Sequence, residues 1–150
     1  MESLISTHAA RIAIGAAGIY FMVGLLTGMW KYIAMRNSPR FEAPFYVNIA
    51  HRAALMYAFA ALLLAVFASL SAFSETINMI GVIPPLLFFA LAQIHYIQLG
   101  FANKTDNSMR DAPNRNTEFM VLNALTVAEI GGFAILLAGF FARIFGNTAP

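Results

Sequence analysis

The chain is 150 residues long, 60% hydrophobic and only 11% charged, with a mean hydropathy of +0.71. An ordinary soluble domain is about 45–50% apolar and about 25% charged, so this composition excludes one and implies an integral membrane protein. The net charge of +2 comes from scattered basic residues, which bear on membrane orientation rather than on nucleic acid, and no nucleic-acid partner is expected. The absence of cysteine excludes disulfides, thiolate nucleophiles, iron–sulfur clusters and covalent haem attachment.

Four apolar blocks predict an all-α, integral membrane four-helix up-down bundle in one domain, with spans at about 8–35, 47–73, 76–101 and 116–142. Each is near or above the roughly 20 residues that cross a bilayer core as helix. The first block has no charge from Ile12 to Trp30, and after Glu2 it runs too long for a cleavable signal peptide, so it is expected to be a retained span. Gly24 and Gly28 give it the small-xxx-small spacing that lets helices approach closely. Trp30, Lys31 and Tyr32 form an interfacial anchor.

The loop from Arg36 to Pro44 contains two prolines and ends that helix. The second span meets a short link at Ser74-Glu75-Thr76, which forces the third to run antiparallel beside it. Pro84 and Pro85 are expected to kink the third span or loosen its backbone bonding. The polar connection from Ala102 to Arg115 is long enough to fold over the bundle as a lid. Asn116, Thr117 and Glu118 read as a capped start of the fourth span, and Asn147 to Pro150 as a frayed end.

Lys31, Arg36, Arg40, Lys104, Arg110 and Arg115 lie on the side of the 1–2 and 3–4 loops, against Arg11 and Arg143 opposite. The positive-inside rule then predicts cytoplasmic 1–2 and 3–4 loops with both termini outside. This order brings His51, Gln93, His95, Tyr96, Gln98, Asn116 and Glu118 to one level near the cytoplasmic face. Polar groups in a span usually face the bundle interior or a wet cavity. Gln93 and Tyr96 share a helix face. His95 points about 100° from Tyr96, so the two are not expected to line one pocket. Asn123, Thr126 and Glu129 form a stripe expected to face inwards, with Glu129 either neutral or bonded to a partner.

His51 is the most informative of these residues, because a metal-ligating imidazole stands beside Arg52 at the mouth of a long apolar helix. One reading makes it the axial ligand of a haem held in the bundle; the other makes it an interfacial histidine bonded to a loop carbonyl. Arg52 snorkels to lipid phosphate or pairs with a carboxylate or propionate. His95 is either a second ligand or a helix-end cation, and His8 is a solvated terminal residue. With one histidine bound, iron keeps a free position and acts as a Lewis acid; with His51 and His95 both bound, it carries electrons.

GLLTG at Gly24 to Gly28, followed by AHRAALMYA at Ala50 to Ala58, resembles the small four-helix membrane isomerases, styrene oxide isomerase and hydroxylaminobenzene mutase. The resemblance covers roughly residues 15 to 100. It implies a homotrimer binding haem b through His51, with Tyr96 as a substrate-positioning hydroxyl. The family's asparagine six residues after the histidine falls on Tyr57 here, its helix 3 aspartate falls on Phe88, and Arg52 replaces a small or apolar residue. The implied activity is the redox-neutral rearrangement of a small hydrophobic epoxide or related compound in a bacterial inner membrane, with Tyr96 and Tyr57 as catalytic residues and His51, Arg52 and His95 around the cofactor. Two other expectations stand beside it: a b-type cytochrome with paired His51 and His95 passing electrons to a quinone, and a cofactor-free structural subunit.

Overall fold

A computed structural model describes residues 7–146 as four helices: α1 (His8–Arg36), α2 (Phe45–Leu70), α3 (Glu75–Ala102) and α4 (Arg115–Gly146). Among the described residues there is no strand, and all four helices are long and apolar enough to cross a membrane. The expected frayed end at 147–150 and the lead before Thr7 lie outside the described residues.

Helix ends follow local chemistry. The Thr7 hydroxyl accepts the Ala10 N–H, and the Glu75 carboxylate reaches from the first turn of α3 to accept the Ala9 N–H at 2.7 Å, so two free donors of α1 are satisfied. Pro44 opens α2. That helix ends at Leu70, three residues before the expected boundary, because Ser71 turns extended and the Ala72 N–H leaves for the carbonyl of Gly139 at 2.9 Å. The α4 cap is Asn114, whose side-chain oxygen accepts the N–H groups of Asn116 and Thr117. At its other end α4 continues past the expected boundary to Gly146.

Alanines at 50, 54, 58, 61, 65 and 68 are the buried stripe of α2. Their three- and four-residue spacing keeps small side chains on one face and lets neighbours approach. α1 packs mainly along α2 and touches α3; α4 packs mainly along α3 and touches α2; α1 and α4 do not meet among the described residues. The four helices are therefore arranged as two triangles sharing the α2–α3 edge.

α3 runs unbroken through Pro84 and Pro85. Pro85 is buried against Gly132, where an added Cβ would stand 2.5 Å from the proline ring and 2.6 Å from the Gly81 carbonyl oxygen. The backbones of α3 and α4 meet there. Towards its N-terminus α4 is mostly exposed, and its fully buried residues are Gly132, Leu136 and Gly139. The two helices part towards the 103–114 loop.

Candidate functional site

The polar level expected near one end of the bundle exists, but it divides into separate places. His51 is half-buried against α1. Its Nδ1 lies 2.9 Å from the carbonyl oxygen of Gly24, an acceptor, so Nδ1 carries a proton and, in the neutral imidazole, the lone pair is on Nε2. Gly28 makes room for the ring: a Cβ there would approach Cε1 to 2.8 Å and Nδ1 to 3.0 Å, while Nε2 stands off at 3.7 Å. Nε2 has no hydrogen-bond partner among the described residues. The spacing of Gly24 and Gly28, legible as a packing motif, is also the cradle of this imidazole. The partner carbonyl belongs to a helix, not to a loop.

This arrangement suits one kind of cofactor better than another. No group of three or more His, Asp or Glu able to hold a bare metal ion occurs among the described residues. A porphyrin brings four nitrogens of its own and needs one protein ligand, and a backbone carbonyl on Nδ1 is the support that orients such a ligand. One imidazole supported in this way is the donor that a haem would ask of the protein, and His51 would supply it. Arg52 is exposed one residue on, without an ion-pair partner among the described residues, and is placed to meet a propionate or a lipid phosphate.

One level is shared across the α2–α3 edge. Gln93, 3% exposed, donates from Nε2 to the Ala50 carbonyl at 3.0 Å, next to His51 in the chain, while its Oε1 is buried with no partner among the described residues. Deeper in the bundle, the Tyr57 hydroxyl lies within hydrogen-bonding reach of Tyr96 and within electrostatic range of Glu129 and Tyr20. The Tyr57 ring stacks on Phe89 at 4.5 Å, and Tyr20 donates to the Leu86 carbonyl. Tyr57 and Tyr96, expected as catalytic, are thus brought together by the fold. His51 faces α1 instead, since six residues along a helix turn the two side chains of α2 to different neighbours.

His95 and Tyr96 both line a cavity of about 360 Å³ between α3 and α4, with Leu91, Met109, Glu118 and Leu122. This corrects the expectation that they would not share a pocket. Where α4 parts from α3 the opening is wide enough to take in two adjacent positions of α3. The 3–4 connection does roof the bundle here: Ser108 and Met109 line the cavity, and the Ser108 N–H donates to the Tyr46 hydroxyl at 2.7 Å. Tyr46 in turn stacks on Tyr96. Sequence reasoning passed over Tyr46; an aromatic at the start of α2, at the level of Tyr96, was the available signal.

The loop is braced by Arg110, which binds Asp106 at 2.7 Å and Asp111 at 2.9 Å. Arg110, and then the Thr105 hydroxyl, hold the Asp111 carboxyl below its ordinary range, at about 2, while Asp111 and then Asp106 raise Arg110.

The stripe on α4 is a second correction. Asn123 and Thr126 are exposed and hydrogen-bond back to the carbonyls of Phe119 and Leu122 on their own helix, and only Glu129 is half-buried. They turn outwards because the divergence of α4 removes the neighbour they would have faced. Comparison with known proteins matches no family model, no curated protein and no solved structure.

Proposed function

We propose that the chain is a membrane-embedded haem b protein acting as a redox-neutral isomerase on a small hydrophobic epoxide or related compound. The observation that carries this reading is His51, whose Nδ1 is committed to the Gly24 carbonyl and whose ring rests in the space Gly28 leaves, so that Nε2 is the ring nitrogen left to act as a ligand. Haem held there by one histidine would supply a Lewis-acidic iron with a free position. The chain's own part is to fix the imidazole tautomer, to keep the surroundings apolar, and to offer phenolic donors at Tyr96 and Tyr57 that hold a substrate oxygen in one orientation. In this reading the protein is a homotrimer of a bacterial inner membrane, with the 1–2 and 3–4 loops on the cytoplasmic side.

Two observations weigh against the paired-ligand cytochrome as the first choice. His51 packs on α1, whereas His95 lines the α3–α4 cavity, and α1 and α4 do not meet. Absorbance of the detergent-purified full chain tests the choice. The expected result is a Soret band, lost in His51→Ala and retained in His95→Ala, with epoxide turned over to carbonyl product by the haem-loaded protein. Loss of the band in both variants supports the cytochrome, and a wild type without a band supports the cofactor-free subunit.

A further inference from the structure

The cavity between α3 and α4 has three properties that together describe a ligand. Its volume of about 360 Å³ sits at the small end of the roughly 300–1,000 Å³ typical of ligand pockets. Its wall is apolar along Leu91 and Leu122, which are 60% and 41% exposed and so form an open side towards the bilayer. Its polar groups collect at the loop end. There His95 and the Glu118 carboxylate have no hydrogen-bond partner among the described residues, and the Tyr96 hydroxyl has only Tyr57 within reach. Met109 closes the roof.

We infer that this cleft is a binding pocket, entered sideways from the bilayer, for an uncharged one- or two-ring molecule that carries a hydrogen-bond-accepting oxygen. Tyr96 and His95 are donors waiting for that oxygen, since a phenol can accept from Tyr57 and still donate its own proton. The Glu118 carboxylate excludes anions, and the apolar wall makes a full charge of either sign costly to bury. A lipid acyl chain would cover the wall and leave all the polar groups unmet. The pocket shares Tyr96 with the proposed isomerase site, but its lining does not include His51, and binding there does not require iron on His51.

Benzophenone is a suitable probe, because it is an uncharged two-ring ketone that inserts into nearby C–H bonds under near-ultraviolet light. The full chain in lipid nanodiscs is illuminated over a concentration series, and adducts are mapped by mass spectrometry. Met56 and Met120, 66% and 72% exposed, report unspecific labelling from the lipid phase. Met109 labelling should saturate and be displaced by excess fluorenone, while Met56 and Met120 rise in proportion to the probe. Tyr96→Phe, which keeps the ring, should weaken the saturable component roughly fivefold through one lost hydrogen bond. His51→Ala should leave the component intact, which separates failure of this inference from failure of the haem reading. Labelling of Met109 that neither saturates nor competes overturns the pocket, and an unchanged Tyr96→Phe overturns its polar end.

Discussion

The two halves of α4 meet α3 in opposite ways. In the C-terminal half, Gly132 lies against Pro85 and the Gly81 carbonyl, Leu136 is fully buried over Gly81, and Gly139 accepts from Ala72 and sits against Ser71. In the N-terminal half, residues 115–128 contain no glycine and no fully buried side chain, and the facing stretch of α3 carries Phe88, Leu91 and His95. Small residues bring the backbones together at one end, and larger ones hold them apart at the other. A cavity is the geometric result, and the chemistry-bearing side chains are gathered at the open end.

The largest expected effect comes from breaking the tight half. Gly132→Leu places its Cβ where a proline ring and a backbone carbonyl already stand, and neither can swing away. The expected loss is about 3 kcal/mol from overpacking, read as a lower unfolding midpoint in detergent. Gly15, on the outer face of α1, has no atom within 4 Å of a Cβ position, so Gly15→Leu should stay within about 0.5 kcal/mol of wild type. Equal losses at both sites would mean that side-chain bulk, and not the close backbone approach, sets the stability.

Next in size is Gly28→Ala. Its methyl would meet the His51 ring at 2.8 Å and push Nδ1 off the Gly24 carbonyl. Disturbing the support of a metal-ligating histidine typically costs about 10- to 100-fold in affinity. If His51 holds the proposed haem, titration of the purified variant should show a shift of that order with the fold retained; an unchanged affinity would mean that the Gly28 cradle plays no part in binding.

The spans were legible because a long uncharged run has no stable alternative to a buried helix in lipid, and the common level of His51, Gln93 and His95 followed from counting residues along antiparallel helices. Which neighbour each side chain faces was not legible. That depends on where α4 leaves α3, and the divergence is set by the Gly81, Pro85 and Gly132 contact, which joins positions some fifty residues apart in the chain. For the same reason His95 and Tyr96 were separated by their helical phase although one wide cleft takes in both, and Asn123 and Thr126 were assigned a neighbour that is absent. The bend at Ser71 depends in turn on the Ala72 N–H reaching the Gly139 carbonyl, 67 positions further along the chain, so no local pattern announces it.

The smallest effects lie in the roof of the open half. Tyr46→Phe leaves the Ser108 N–H without its acceptor at a cost of about 1 kcal/mol. The expected result is faster amide exchange across residues 105–111 with the spans unaffected. Asp111 gives a finer test with a defined sign. Its folded value of about 2 lies below the ordinary 3.8, so the ordering that Arg110 and Thr105 provide is fully present above about pH 4 and fades as pH falls towards 2. The pair is solvent-exposed, so the whole chain should not unfold in that window. Carboxyl-carbon NMR of selectively labelled protein should find Asp111 titrating near 2 in the wild type and returning towards 3.8 in Arg110→Gln. A wild-type midpoint already near 3.8 would mean that the Arg110 and Thr105 contacts to Asp111 do not order the roof.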